Sequence, residues 1–187
     1  MRKLIEATFV TLDGVISDTI PSTVPHASPE KWGSPYWDDE HANYAQDLLF
    51  ASDALLLGRV TYEGFVKSWP SRTGDFADRI NSLPKYVASR NLEGPLEWNA
   101  NLIEGDIAEE VARLKAQPGQ NILKYGTGEL DRTLMQHNLV DEIHFWKFPV
   151  AVGAGQRLLE GIDTTHLKLV KTTPFGSGIV VLTYMPK

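Results

Sequence analysis

The apolar positions of this chain follow two different periods, and the pattern changes repeatedly from one to the other. Residues 4–11 alternate between apolar and polar and are rich in strand-forming side chains, which predicts a first strand. Residues 38–52 carry apolar side chains at helical spacing, and Asp38 or Asp39 can cap the predicted helix. The next apolar run, residues 54–57, is short enough for a buried strand. The pattern therefore predicts a strand, a helix and a second strand.

The same alternation continues to the end of the chain. A helix is predicted to begin near Tyr62, with Thr61 as its N-cap. Asp106 and Glu109 have the spacing of a capping box, which predicts a helix that Pro118 stops. Further elements are strands at 85–89, 102–103, 121–125 and 140–148, a helix at 76–83, a helix that carries Leu130, Leu134 and Met135, and an antiparallel pair at 166–173 and 178–185. Strands alternating with helices indicate an α/β sheet with mixed edges, in a single domain over residues 1–187.

A long irregular stretch, residues 17–36, interrupts this alternation. It contains four prolines, and aromatic side chains cluster at its end in Trp32, Tyr36 and the following Trp37. A loop of this length in a compact domain is usually functional, and such side chains are costly to leave in water. We expect a lid or a pocket wall. The alternative is a surface loop whose aromatic side chains pack on a dimer partner.

Composition argues against several classes of function. The 187 residues carry a net charge of −6, which disfavours nucleic acid or an anionic membrane as the main partner. The absence of cysteine removes disulfides, cysteine nucleophiles and thiolate metal sites. His137, His144 and His166 do not have the spacing of metal ligands, so no metal is expected. Without a membrane-length apolar run or a signal-peptide pattern, we expect a cytoplasmic protein.

Three predicted strands end in small or basic residues. These ends are Gly58-Arg59, Ser89-Arg90 and the glycine loop, residues 126–128. In an open α/β sheet, ligands bind at the carboxyl ends of the strands, and a helix N-terminus there favours phosphate. Three such ends in order predict a long, multiply phosphorylated ligand, with the two arginines opposing its charge.

Candidate proton donors are few. Asp13 ends the first strand and Asp38 stands at the start of the first helix, so either carboxylate can supply or relay a proton. The alternative for Asp13 is a turn-forming side chain before Gly14, and the alternative for Asp38 is helix capping. Asp13 and Asp38 are therefore the two catalytic candidates.

Short motifs, taken in order, resemble one superfamily over nearly the whole chain. They are Thr-Leu-Asp-Gly-Val at 11–15, Leu-Gly-Arg-Val-Thr-Tyr-Glu at 57–63, Val-Ala-Ser-Arg at 87–90, Tyr-Gly-Thr-Gly-Glu-Leu at 125–130, Leu-Val-Asp-Glu-Ile at 139–143 and Pro-Val-Ala-Val-Gly-Ala-Gly at 149–155. The chain resembles the dihydrofolate reductase-like superfamily, most closely the single-domain proteins similar to the reductase half of the riboflavin-biosynthesis deaminase-reductase. The resemblance implies a three-layer fold, with a central, mostly parallel sheet, a C-terminal antiparallel hairpin and helices on both faces.

The resemblance also implies NADPH as the cofactor. The Gly-Arg-x-Thr loop would bind its phosphates, the Ser-Arg turn would lie beside the adenosine 2′-phosphate, and the glycine loop would cradle the pyrophosphate. The turn after the first strand would lie near the nicotinamide. The implied cofactor-binding residues are Gly14, Gly58, Arg59, Thr61, Ser89, Arg90, Gly126, Thr127, Gly128 and Leu130.

The implied reaction is hydride transfer to a C=N or C=O bond of a small pterin- or pyrimidine-like heterocycle. Trp37, His41 and Tyr125 are the expected substrate-binding residues. Dihydrofolate reductases carry an acid early in the first long helix, near the position of Ala42 here. The riboflavin-pathway reductases place a glutamate at the position of Tyr125. The alternative function is therefore an NADPH-binding protein without turnover, either a sensor or an inactive relative.

A homodimer is also expected. Residues 143–152 are apolar enough to form either core or a dimer interface, and five tryptophans supply further apolar surface. Related domains often pair.

Overall fold

The computed structural model describes residues 1–17 and 32–187. Strands β1 to β10 are Leu4–Thr11, Val15–Ser17, Ser52–Gly58, Lys85–Ala88, Ala100–Leu102, Asn121–Tyr125, Glu142–Phe148, Gln156–Arg157, Leu167–Pro174 and Val180–Pro186. The α-helices with both ends in the described ranges, α1 to α5, are Asp39–Phe50, Arg59–Ser68, Asp75–Ser82, Ile107–Ala116 and Glu129–Gln136. A 3-10 turn, Ser34–Tyr36, precedes α1.

One eight-stranded sheet organises the fold, in the order β5-β4-β3-β6-β1-β7-β10-β9. The strands from β5 to β7 pair in parallel, whereas β10 runs antiparallel to both β7 and β9. The predicted mostly parallel sheet with a C-terminal antiparallel hairpin is confirmed. A separate small sheet pairs β2 with β8.

Helices cover both faces of this sheet, which confirms the three layers. On one face, α4 and α5 pack through Val111 and Leu134 against residues such as Leu56. On the other, α1, α2 and α3 pack against alternate residues of the same strands, including Leu55 and Leu57. Residues 54–57 are buried on both faces, which explains why that strand is an unbroken apolar run. Each of the three leucine side chains contributes about 1.5–3 kcal/mol through burial.

The N-terminal ends of the helices show which of the predicted N-cap residues are correct. Asp38 caps α1, because its Oδ1 accepts the backbone N–H of His41 at 2.8 Å. Asp106 caps α4 in the same way through the N–H of Glu109, at 2.9 Å. The prediction for Thr61 is wrong: α2 begins at Arg59, and Gly58 is its N-cap. The strand passes directly into the helix, so Thr61 already lies within the first turn.

The expectation that residues 143–152 form an interface is wrong for the strand itself. β7 lies between β1 and β10 of the same chain, and Ile143, Phe145 and Trp146 are buried there. The two edge strands of the sheet are β5 and β9 instead. Within the described residues, no helix has the length and apolarity needed to cross a membrane.

Residues 18–31, which make up most of the proline-rich stretch, lie outside the described residues. Its described end packs on the protein itself. The Trp32 ring lies 5.0 Å from the Phe148 ring, and Tyr36 donates to the carbonyl of Pro149 at 3.2 Å. Trp37, which follows this end, lines the cavity described below. This part of the chain therefore forms a pocket wall, which was expected as an alternative to a loop packed on a dimer partner.

Candidate functional site

A cavity of about 1290 Å³ lies across the carboxyl ends of β3, β4 and β6. It joins most of the side chains expected from the sequence into one site. The expected residues that line it are Gly58, Arg59, Thr61, Ser89, Arg90, Gly126, Thr127, Gly128, Leu130, Trp37, His41 and Tyr125. The three strand ends thus lie beside the aromatic residues that follow the proline-rich stretch.

The start of α2 forms one wall. Gly58, its N-cap, provides no side-chain hydrogen bond, and a Cβ added there would meet nothing within 4 Å. The first-turn N–H groups of such a helix have no intrahelical acceptor, and they favour an anion. Arg59 adds a cation, which a 2.9 Å bond to Glu63 one turn later holds beside the helix. This wall can bind a phosphate.

The glycine loop, residues 126–128, forms the neighbouring wall. Gly126 has φ +72°, a conformation that favours glycine, and a Cβ there would crowd Thr61 Oγ1 at 3.2 Å. The hydroxyl oxygens of Thr127 and Tyr125 are buried without a hydrogen-bond partner among the described residues. Buried polar atoms are normally satisfied, so these two favour a bound ligand.

The turn after β4 forms a third, more exposed part. Ser89 Oγ accepts the N–H groups of Asn91 and Leu92, at 3.1 and 3.0 Å, which fixes the turn. Arg90 is exposed in that turn and lines the cavity. Its guanidinium is therefore available for an anionic group at the edge of the cavity.

An aromatic cluster forms the opposite side. Trp37 stacks on His41, with ring centroids 5.6 Å apart and planes inclined by 13°. Trp146 meets His41 edge-on at 5.0 Å, and Phe9 packs against both. Burial lowers the pKa of His41, so its imidazole is neutral at neutral pH. His41 Nε2 and Trp146 Nε1 are buried without partners among the described residues. This side suits a flat ring that carries hydrogen-bonding groups.

The two acidic candidates do not line the cavity, and neither does Gly14. Asp13 accepts bonds from Thr11 Oγ1 at 2.6 Å and from the N–H of Gly153 at 2.7 Å. These bonds, chiefly the one from Thr11, lower the pKa of Asp13. The bond from the N–H of His41 likewise lowers the pKa of Asp38. Asp38 therefore caps α1, which was the alternative expected for it, whereas the carboxylate of Asp13 joins the end of β1 to the backbone of Val152 and Gly153.

Several charged residues of the cavity were not singled out by the sequence pattern, and two of them are buried. Lys124 of β6 and Asp131 of α5 line it, and both are almost fully buried together with Glu6 of β1. The available signal was weak: a lysine within an otherwise apolar strand and an aspartate next to Leu130. Recognising the group requires the pairing of β1 with β6 and the packing of α5.

Comparison with known proteins places this geometry in a family. Residues 2–181 match the RibD C-terminal domain. The chain belongs to the RibD C-terminal domain family. It is 32% identical over 144 residues to the uncharacterized protein YyaP of Bacillus subtilis (strain 168), covering 74% of this chain and 76% of YyaP.

Solved structures agree on the fold. A pyrimidine reductase-like protein from Corynebacterium diphtheriae is similar with a TM-score of 0.64 at 12% identity, covering 100% of this chain and 92% of that one. A dihydrofolate reductase from Enterococcus faecalis, complexed with NADP(H), is similar with a TM-score of 0.60 at 15% identity, covering 99% and 96%. The expected superfamily and fold class are therefore confirmed.

Proposed function

We propose that this protein is an NADPH-dependent reductase that transfers a hydride to a C=N or C=O bond of a small pterin- or pyrimidine-like heterocycle. One observation carries the proposal: a single cavity joins three phosphate-suited strand ends to an aromatic wall with unpartnered ring nitrogens. The RibD C-terminal family and the similarity to a dihydrofolate reductase complexed with NADP(H) support the same reaction class.

The cofactor side has the donors that a dinucleotide phosphate requires. Arg90, in the exposed turn after β4, is proposed to bind the adenosine 2′-phosphate. Gly58, Arg59 and Thr61 of α2, together with the glycine loop and Leu130, are proposed to bind the diphosphate. The unpartnered Thr127 hydroxyl and the open space at Gly58 support this fit. When bound, NADPH supplies the hydride.

The substrate side orients the heterocycle and excludes water. Trp37 and Trp146 offer aromatic surface, while neutral His41 and the Tyr125 hydroxyl offer hydrogen bonds. Burial raises the pKa of Tyr125 well above its usual range, so its hydroxyl stays protonated and can donate. Because Asp13 and Asp38 are engaged outside the cavity, we propose that water in the cavity supplies the proton.

The test is a titration with NADPH and with NADH, followed by tryptophan fluorescence, on the wild type and Arg90→Ala. We expect the wild type to prefer NADPH, and Arg90→Ala to lose about ten- to a hundredfold in NADPH affinity, since a charge-assisted hydrogen bond contributes about 1.5–3 kcal/mol. Arg113→Ala is the matched control, because Arg113 is an exposed arginine on α4 that pairs with Glu110 and does not line the cavity. Failure of the wild type to bind either nucleotide would overturn the proposal.

The second candidate function is NADPH binding without turnover. The observation that favours it is the lack of a carboxylate on the aromatic side of the cavity among the described residues. An assay of NADPH oxidation with a panel of pterins, flavin precursors and small carbonyl compounds distinguishes the reductase from the binding protein without turnover. Oxidation with any of them supports the reductase, whereas tight binding without oxidation across the panel supports the sensor or inactive relative.

We also propose a homodimer, formed through the antiparallel edge rather than through β7. Leu169 and Val170 of β9 and Met185 of β10 are 47%, 44% and 38% exposed. Exposed apolar side chains on a sheet edge favour pairing with a second copy. Sedimentation velocity tests this: we expect a dimer for the wild type and a monomer for Leu169→Asp, and a monomeric wild type would contradict it.

A further inference from the structure

We propose that a buried triad, Glu6, Lys124 and Asp131, positions the glycine loop for the diphosphate and nicotinamide half of the cofactor. The inference rests on the proposed function, since it concerns the same nucleotide. The role falls to three buried ionisable residues that do more than fill the core. They are positioning residues, because they act on the cofactor through the loop.

The three side chains come from three elements and meet beneath the loop. Glu6 is on β1, Lys124 is on the neighbouring β6, and the parallel register places them side by side. Asp131 approaches from the first turn of α5. Lys124 Nζ lies 2.7 Å from Asp131 Oδ1 and 3.6 Å from Glu6 Oε2. The side chains are at most 2% exposed.

The triad bonds to both ends of the glycine loop. Lys124 Nζ donates to the carbonyl oxygen of Gly126. The backbone N–H of Gly128 donates to Asp131 Oδ2 at 2.6 Å. The residue between these two anchors is Thr127, whose hydroxyl is buried and unpartnered. One ion pair therefore fixes the loop on either side of a polar atom that is left available for a ligand.

The charge state of the triad is consistent with a fixed anchor. Burial raises the pKa of Glu6, which favours a neutral carboxyl. Burial acts to lower the pKa of Lys124, but the two carboxyl groups reverse this effect and keep it protonated. Lys124 also outweighs the effect of burial on Asp131, whose pKa is lowered. The set is then one ammonium, one carboxylate and one neutral acid, with no net charge left in the core.

Stability alone does not account for such a group. Replacing a buried ion pair with apolar residues of similar volume is often neutral or stabilising, so a buried pair is weak evidence of a stabilising role. The chain contains a useful comparison in Lys115, which is 5% exposed. Its Nζ lies 2.5 Å from both Asp141 Oδ2 and the Leu139 carbonyl oxygen, and it does not line the cavity. Lys124 differs in that it bonds to the glycine loop and lines the cavity.

The experiment compares Lys124→Met with Lys115→Met, using two ligands. NADPH spans the whole proposed site, whereas adenosine 2′,5′-bisphosphate lacks the nicotinamide half and is expected to depend chiefly on Arg90. We expect Lys124→Met to weaken NADPH binding about tenfold or more, as the loss of bonds to a charged group predicts. Its affinity for the bisphosphate should change less than about twofold. Lys115→Met should leave both affinities unchanged, although it removes an equally buried lysine.

One further variant keeps the test decisive if Lys124→Met does not fold. Asp131→Asn retains the volume and an oxygen for the Gly128 N–H but loses the negative charge, so it should weaken NADPH binding selectively. Hydrogen exchange of the free proteins provides a second measurement, and the amides of 126–128 should exchange faster in Asp131→Asn than in the wild type.

The outcomes separate the inference from the proposed function. If the wild type binds neither ligand, the proposed function fails, and the inference fails with it. If the wild type binds NADPH but Lys124→Met or Asp131→Asn binds it equally well, or loses both ligands to the same degree, the triad has no positioning role while the proposed function stands.

Discussion

The two sides of the cavity offer a ligand different kinds of groups. The proposed cofactor side presents backbone N–H groups at helix starts and two arginines, Arg59 and Arg90, that are partly or fully exposed. The aromatic side presents stacked and edge-on rings, with buried ring nitrogens on His41 and Trp146. Under the proposed function, charge would dominate recognition on the first side, whereas shape and desolvation would dominate on the second. Perturbations that act on one side should therefore leave the other nearly unchanged.

The largest expected effect comes from Gly126→Val on the cofactor side. The positive φ of Gly126 and the nearby Thr61 oxygen make a β-branched side chain strained there. If the loop shifts to relieve this strain, about 1–3 kcal/mol corresponds to a loss of about five- to 150-fold in NADPH affinity. Gly153→Val is the control, since Gly153 has φ +80° with open space around it and does not line the cavity. Equal loss of affinity in both variants would show that the loop has no special role.

The next effect concerns Trp37→Ala on the aromatic side. Trp37 is 44% exposed, so its removal should have little effect on folding. Loss of one aromatic stacking partner, about 0.5–1.5 kcal/mol, should raise KM for a reducible heterocycle about two- to tenfold. The Kd for NADPH should stay the same. Phe50→Ala, at the C-terminal end of α1 and outside the cavity, removes a similarly exposed aromatic side chain and should change neither quantity.

Salt should also distinguish the two sides. Raising the ionic strength screens exposed arginines such as Arg90, so the Kd for NADPH should increase. The KM for an uncharged heterocycle measured at saturating NADPH should stay nearly constant. Steady-state kinetics over a sodium chloride series measures both, and a parallel rise of the two constants would contradict the division.

The smallest expected effect is on the pH dependence of stability. The folded pKa of His41 is lowered below 6.5 by burial, so the unfolded chain binds more protons in the window just below pH 6.5. Stability should therefore be fully present above that window and decrease as the pH falls through it. His144 is shifted in the same direction, so His41→Phe should weaken this decrease without abolishing it. Urea unfolding between about pH 5 and 7.5 measures the difference, and an unchanged profile would contradict it.

The gathering of the three strand ends at one cavity could be predicted from the sequence because its signals are local. Each strand end carries its own glycine or arginine within a few residues, and parallel strands bring those ends to one edge of the sheet. The start of α2 was misplaced by three residues, because Thr61 is a good cap in isolation and only the direct passage from β3 shows that Gly58 occupies that position.

The aromatic side and the triad could be predicted only in part, because their contacts are distant in sequence. Trp146 meets His41 through β7, more than one hundred residues away along the chain. Glu6 meets Lys124 only in the register of β1 with β6. Asp13 shows the opposite problem. It is next to the strand end expected to form the site, yet its carboxylate is occupied by bonds to Thr11 and Gly153.

The most direct test of the central claim is a crystal structure of the protein with NADP+. The account predicts the 2′-phosphate within hydrogen-bonding distance of Arg90 and the diphosphate between the start of α2 and the glycine loop. It also predicts the nicotinamide facing His41 and Trp37. An ordered nucleotide with its diphosphate away from both of those walls, or with its nicotinamide outside the aromatic side, would contradict the account.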